Sequence, residues 1–335
     1  MGDTGARGVW DTFFLYFSHR DAWFPESQQM PQDEKKYRFI TIHRCEMCGD
    51  SVSGHQMMGM RMNRSQGLKP KEKTGISVSV VRCKNCGLIY SDPMPVPADL
   101  MDHYGTPPED YWKEKYFTLV PEYFRVELEE AAQLLGDLNG KKALDIGAGI
   151  GKAMVCMQRK GLDVYGLEPS STFYEKALSH MGIQKERLIP LSVEEAEFED
   201  NFFDYISFSA VYEHLYEPRK CLERALKWLK PGGIIHIKVP SSDWLLPSFI
   251  NRFYRLTGTH FVTNLSPMHP PYHLYEFTYR SFSCIAKELN YSIVMDRYDV
   301  CDIYFVPRMF HGLLRRYMNR TKTGMQLTVY LKKNS

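Results

Sequence analysis

The 335-residue chain is 44% apolar and 24% charged, the balance of a folded globular protein rather than a disordered one. Its formal charge of +2 gives no basic footprint of the kind that nucleic-acid binding leaves, so nucleic acid is not an expected partner. No apolar run approaches the ~18 residues that a membrane-crossing helix needs.

The opening residues, "MGDTGARGVWDTFFLYFSHRDAWF", lack a basic start, and Ser18, His19 and Arg20 interrupt their apolar run. They do not read as a secretory signal. Ala6 stands where an N-myristoylation motif needs Ser or Thr. The expected location is therefore the cytoplasm. The aromatic cluster from Trp10 to Phe24 suits packing on the body of the protein better than a membrane-surface or partner-binding helix. Residues 1–40 are read as an N-terminal aromatic segment.

Residues 41–92 hold two C-x-x-C pairs, "CEMCGD" at Cys45 and Cys48 and "CKNCGL" at Cys83 and Cys86. A glycine follows each pair and lets the backbone curl beneath a metal, the geometry of a zinc knuckle. Two knuckles supply the four thiolates of a closed structural zinc site. A redox C-x-x-C would need one pair and leave the other unexplained. Disulfides are disfavoured in a reducing compartment. His43 and His55 are possible substitute ligands, but the symmetry of the pairs argues against them. "SQGLKPKEKTG" between the pairs reads as a flexible loop. Cys156, Cys221, Cys284 and Cys301 are expected to be isolated, buried small hydrophobes.

Residues 93–120 carry five prolines between Pro93 and Pro108 and read as a linker. From Pro121, the apolar residues Phe124, Leu128, Ala131 and Leu135 recur at helical spacing up to Gly136. This helix opens a domain expected to span 121–335. Short β-rich runs then alternate with helical patterns: "KALDIG", a helix from Gly151 to Lys160, "DVYGLEP", a helix over "STFYEKALSHM", "RLIPL", "FDYISFSAV", a helix over "RKCLERALKWL", and "GIIHIKVP". Near the end "FSCIAKELN" reads as helix, and "YSIVMDRYDV" and "MQLTVYLKK" as strands. Such alternation implies an α/β fold, a mainly parallel sheet with helices on both faces.

After the first strand of this domain comes "ALDIGAGIGKAM", with Gly147, Gly149 and Gly151 just past Asp145. Three glycines so close together suggest a tight turn or a close approach to a ligand. A P-loop ending on Gly151 and Lys152 would need glycine at Ile146 and a hydroxyl at Ala153. A dinucleotide fingerprint would need a glycine where Lys152 stands. The D-x-G-x-G-x-G pattern resembles motif I of class I S-adenosylmethionine-dependent methyltransferases. The resemblance extends in order and spacing over roughly residues 140–335.

It implies a Rossmann-like seven-stranded sheet and S-adenosylmethionine as cofactor. Asp145, Gly147, Gly149 and Gly151 would line its methionine side. Glu168, in "GLEPS", would accept the ribose hydroxyls. Ser192 and Val193, in "LSVEEAEF", would border the adenine. "FDYISFSAVYEHL" matches the fourth strand and its catalytic edge, and "LKPGGIIHIKVP" the turn and fifth strand.

His214, just past the fourth strand, is the first candidate for a general base, and an imidazole there could titrate near neutral pH. Residues 241–280 are rich in aromatic residues and long for a connection, so they are read as an acceptor-binding cap. His273 within them is the second candidate base or acceptor contact. For both histidines a purely structural role stays open. Zinc-knuckle modules before such a core resemble a group that includes sugar C-methyltransferases. Their additional C-terminal domain has no room here, which points to O-methylation of a small polar acceptor, a sugar or related metabolite. RNA or protein methylation with the zinc module as docking element is the alternative enzyme. A non-catalytic zinc scaffold with a vestigial cofactor fold is the alternative outside enzymes.

Overall fold

The computed structural model describes residues 37–62, 77–97, 117–120, 122–263, 273–300, 303 and 306–335. The Trp10–Phe24 cluster, the "SQGLKPKEKTG" loop, Cys301, the later part of the proline-rich stretch and residues 264–272 of the cap lie outside them.

The cysteine-bearing part contains strands β1 (Tyr37–Ile40), β2 (Gln56–Met62), β3 (Ser77–Arg82), β4 (Ile89–Ser91) and β5 (Met94–Pro97). β2, β3 and β4 form an antiparallel sheet, and β1 pairs with β5. β5 comes from the start of the proline-rich stretch. In a two-stranded ladder one edge of β5 has no partner, so Pro95 and Pro97 are tolerated there. Met94 and Val96 are buried in the core.

Helix α1 (Arg125–Leu135) precedes β6 (Lys142–Ile146), α2 (Lys152–Arg159), β7 (Asp163–Leu167), α3 (Ser171–Met181), β8 (Leu188–Ile189) and β9 (Phe203–Ser209). Then come α4 (Pro218–Trp228), β10 (Leu229–Pro240), α5 (Leu245–Leu256), α6 (Tyr279–Ser283), β11 (Tyr291–Asp299), α7 (His311–Thr321) and β12 (Gln326–Lys333). The seven-stranded sheet runs β11-β12-β10-β9-β6-β7-β8, and β12 alone lies antiparallel to its neighbours. The chain moves outward from β6 to β8, then returns to the far side of β6 as β9. Strand order therefore reverses between β6 and β9, and the crevice at their carboxyl ends is where an open α/β sheet binds ligands.

Successive strand residues point to opposite faces, and here both faces are covered. One apolar cluster joins Leu144, Ile146, Ile206 and Phe208 to Leu222, Ala225 and Trp228 of α4. Met47, Leu88 and Tyr90 of the cysteine module belong to the same cluster. The other face joins Ala143, Val164 and Tyr205 to Leu128 and Ala131 of α1 and Met154 and Met157 of α2. Trp228 is fully buried, its ring edge-on to Phe198 at 5.2 Å. Cutting such a side chain back to alanine costs about 3–5 kcal/mol.

Two sequence expectations change. Within "FSCIAKELN" the regular helix α6, opened by a Thr278–Ser281 capping box, ends at Ser283, and turns follow to Asn290. The Ala286 N–H bonds to the Ser283 carbonyl and the Tyr291 N–H to the Ala286 carbonyl, so the ladder changes step as the chain turns into β11. The long stretch after β10 is not all loop, because α5 occupies twelve of its residues.

Candidate active site

The first group of site residues hangs from β6 and β7. Asp145, the fourth residue of β6, is buried opposite Ser207 of β9 in the register of the two strands. Burial raises its pKa to about 7, with Ser207 opposing the rise and the Glu168 charge adding to it. Gly147, Gly149 and Gly151 all have positive φ. At Gly147 an added Cβ would lie 2.4 Å from Val211 Cγ2, and at Gly151 2.7 Å from Ile183 Cγ1, so both sites demand glycine for packing. Gly149 differs. A Cβ there would meet nothing within 4 Å, so the middle of the loop opens onto free space.

Glu168 follows β7 and is buried beneath this loop. Its Oε2 accepts the Gly149 N–H at 2.7 Å, and its Oε1 accepts the Ser170 N–H at 2.8 Å, just ahead of α3. Burial raises its pKa to about 7 against those two bonds. Each carboxylate oxygen keeps a second lone pair, so the group can also accept hydroxyls from the open side. The space at Gly149 and this bidentate acceptor fit the sugar and backbone-lined portions of S-adenosylmethionine. Ser192 and Val193 begin the turn after β8. The Ser192 N–H donates to Glu195 at 3.1 Å, and buried Val193 offers its carbonyl to Arg224 Nε at 3.1 Å.

The second group sits past β9, where Tyr212–His214 form one 3-10 turn. Tyr212 is fully buried and donates its hydroxyl to the Pro218 carbonyl at 2.6 Å, which pins the turn. The Leu274 N–H donates to the Glu213 carbonyl at 2.8 Å and brings the cap segment alongside. As a result the His214 and His273 rings meet edge-to-face at 4.7 Å. His273 Nε2 lies 3.8 Å from Glu213 Oε1. Ligand atoms of Glu213, His214 and His273 all fall within 4.8 Å of one another. The structure thus brings together the two histidines named from the sequence. It adds Glu213, whose place beside His214 in "YEHL" was the available signal. Glu213 is buried, its pKa is raised to about 8 by desolvation, and its Oε2 has no hydrogen-bond partner among the described residues.

The four knuckle cysteines also converge, with their Sγ atoms within 4.8 Å of one another. Cys45 and Cys86 are 3.4 Å apart and Cys48 and Cys83 3.6 Å. A tetrahedral zinc with Zn–S bonds near 2.3 Å sets its sulfurs about 3.8 Å apart, so the donor set fits that ion. Gly49 and Gly87 take positive φ, and each donates its N–H to the first cysteine of its pair at 2.9 Å. His55 turns its Nδ1 to the Tyr90 hydroxyl, and His43 is exposed. Cys156 and Cys221 are buried as expected, but Cys284 is not. It is exposed just past α6, its thiol 3.7 Å from the Ser281 carbonyl, and the neighbouring Cys48 raises its pKa.

The family described as "Methyltransferase domain" matches residues 118–295, more than half of the chain. Phosphoethanolamine N-methyltransferase 2 of Caenorhabditis elegans is 32% identical over 130 residues, which are 38% of this chain and 30% of that protein. Ubiquinone biosynthesis O-methyltransferase of Alkalilimnicola ehrlichii is 30% identical over 112 residues, 32% of this chain and 45% of that protein. The chain therefore spans less than half the length of either relative. A solved SAM-dependent methyltransferase from Archaeoglobus fulgidus aligns with a TM-score of 0.45 at 18% identity, over 68% of this chain and 100% of that one. Among the described residues no helix is long and apolar enough to cross a membrane.

Proposed function

Since the chain belongs to this methyltransferase-domain family, we propose that it transfers a methyl group from S-adenosylmethionine to a hydroxyl of a small polar acceptor, a sugar or related metabolite. One observation carries the reading. Val211, which closes over Gly147, lies three residues before His214, so the open glycine loop adjoins the Glu213–His214–His273 cluster. When bound, S-adenosylmethionine supplies a methyl already activated on a sulfonium. Glu168 and the Gly147–Gly151 loop hold the cofactor, with Asp145, Ser192 and Val193 at its borders. His214 takes the hydroxyl proton. His273 orients the acceptor, and Glu213 positions His273.

The relatives' names, a phosphoethanolamine N-methyltransferase and a ubiquinone biosynthesis O-methyltransferase, favour a small acceptor over RNA or protein. In this reading residues 241–280 are the acceptor cap of a domain spanning 121–335. Residues 41–92 are a module whose Cys45, Cys48, Cys83 and Cys86 hold a structural zinc ion, and the protein works in the cytoplasm.

The test is transfer of labelled methyl from S-adenosylmethionine into fractionated cell extract. Label in the small-molecule fraction, stable to mild base as an ether is, is the expected result. Label confined to RNA or protein overturns the acceptor class. No label, with no calorimetric heat on adding S-adenosylmethionine, overturns the enzyme.

A further inference from the structure

Two helices at one end of the core carry apolar faces that the described residues leave uncovered. On α5, Phe249, Phe253 and Leu256 are 71%, 57% and 81% exposed. Their i, i+4, i+7 spacing makes a single stripe, opposite buried Pro247 and Asn251. On α7 and the turn before it, Met309, Leu313 and Tyr317 are 82%, 71% and 53% exposed, opposite buried Met318. A single exposed leucine needs no explanation, but apolar stripes on two neighbouring helices do.

The helices are neighbours by hydrogen bonding. The Leu245 N–H, at the start of α5, donates to the Thr323 carbonyl just past α7 at 3.1 Å, and the Ser241 N–H donates to Met325 at 2.9 Å. α5 leaves the carboxyl end of β10, and α7 leads into antiparallel β12. Both therefore stand at the sheet edge that carries the glycine loop and Glu213.

Along the two helix-bearing segments the charge is one-sided, although Asp296 and Asp299 of β11 line a pocket with Arg315 and Asn319 of α7. No Asp or Glu occurs from Trp244 to Tyr275, nor from Ile303 to Ser335. Arg252, Arg255, Arg308, Arg316 and Arg320 are exposed and join no ion pair among the described residues. Arg316 and Arg320 follow Leu313 by three and seven positions, on the same side of α7. This concentration occurs in a chain whose whole formal charge is +2.

We propose that α5 and α7 together form a docking surface for an anionic lipid bilayer. The phenylalanine, leucine, methionine and tyrosine side chains enter the headgroup–acyl boundary while the arginines meet lipid phosphates. Apolar stripes flanked by arginines are the make-up of helices that lie in a membrane interface. A second copy of this chain is the poorer occupant, because it would set like charges face to face. Single-stranded nucleic acid stacks its bases on flat rings, and Leu256, Met309 and Leu313 offer none. Docked this way, the protein turns its acceptor-side edge toward the membrane surface. The inference concerns binding alone and stands apart from the proposed reaction.

The test is co-sedimentation of the full chain with vesicles of phosphatidylcholine and with an equal mixture of phosphatidylcholine and phosphatidylglycerol. The expected result is pelleting with the mixed vesicles that weakens as salt screens the charges. Arg316→Gln with Arg320→Gln should lower partitioning about 25-fold, at about fivefold per arginine near an anionic surface. Phe253→Ser with Leu256→Ser should lower it at every salt concentration. Circular dichroism and Tm on each variant establish that it is folded. Failure to pellet with anionic vesicles, equal pelleting with neutral ones, or undiminished pelleting of the folded variants overturns the proposal. So does a dimer in sedimentation equilibrium that Phe253→Ser with Leu256→Ser dissolves, which would give the surface to a second copy.

Discussion

Glu168 gives the sharpest test of the proposed cofactor site, because its carboxylate is bonded to the loop at Gly149, where the backbone opens onto free space. Glu168→Ala removes the acceptor of the Gly149 and Ser170 N–H groups, now bonded at 2.7 and 2.8 Å. Losing a buried partner costs about 1–3 kcal/mol per group, so Tm should fall while the fold survives. Two charge-assisted bonds to ribose hydroxyls are worth about 1.5–3 kcal/mol each, so S-adenosylmethionine should bind at least ~10²-fold more weakly. A second signature comes from proton linkage. Burial holds the Glu168 carboxyl at a pKa of about 7. Hydroxyl donors need it ionised, so binding below that pH must expel a proton. Affinity should then drop up to about tenfold for each pH unit below 7 and level off above it. Titration calorimetry in buffers of different ionisation enthalpy reads both the Kd and the proton released. Asp145 titrates in the same range, and Glu168→Gln separates the two. If the acid limb survives in Glu168→Gln, it belongs to Asp145. Wild-type affinity in Glu168→Ala would refute the assignment of the ribose acceptor.

Other outcomes follow from the same geometry. His214→Asn should slow methyl transfer by ~10²-fold or more and, at saturating S-adenosylmethionine, remove the acidic limb of the pH–rate profile, with S-adenosylmethionine affinity unchanged. His273→Asn, run alongside, should raise acceptor KM more than it lowers kcat. Full activity and unchanged profiles in both would mean catalysis by alignment alone. Glu213 has a folded-state pKa raised from 4.5 to about 8, so its contribution to stability is complete below the unfolded value and is lost as pH rises through 8. Tm of the ligand-free protein should fall across that window, and Glu213→Gln, which cannot ionise, should flatten the fall. Metal analysis of protein purified without chelator should find one zinc per chain, released by mild acid as the thiolates protonate. Its removal should impair acceptor turnover before S-adenosylmethionine binding.

What the sequence made legible was chemistry confined to short stretches. Each C-x-x-C pair, and the loop from Asp145 to Gly151, lies within ten residues and stands out locally, but what the loop would bind came only from the family resemblance. Glu168 was singled out through the family resemblance, just after a strand of recognisable β-rich composition. Features built by distant contacts were harder to read. Glu213 stood visibly beside His214, but its raised pKa comes from burial and its nearness to His273 from the Leu274 N–H bond to its backbone carbonyl sixty-one positions on, neither of which leaves a local pattern. Cys284 reads as a lone thiol until the turn after α6 carries it to the cluster. α7 escaped because "HGLLRRYMNRT" includes Gly312 and Asn319 and buries Met318 but no continuous stripe, so the period that marks a core-facing helix is missing.

The cysteine module is tied to the segment carrying His273 by contacts that no linear reading suggests. The carbonyl of Cys86 accepts the Thr278 hydroxyl at 2.7 Å and the Ser281 hydroxyl at 3.1 Å. A Cβ on Gly87 would lie 2.7 Å from Thr278, so knuckle and α6 fit only with glycine there. Ile89 and Glu276 then exchange both backbone bonds at 3.0 Å. The segment so gripped runs back to Leu274, on the Glu213 carbonyl, and to His273. Glu168 and the glycine loop take none of these bonds. If the four cysteines hold the proposed zinc, its loss should release the segment presenting His273 and leave the proposed cofactor contacts at Glu168 and the glycine loop in place. That asymmetry is why metal removal should reach the acceptor before the cofactor, and equal loss of both would show that the module supports the whole sheet instead.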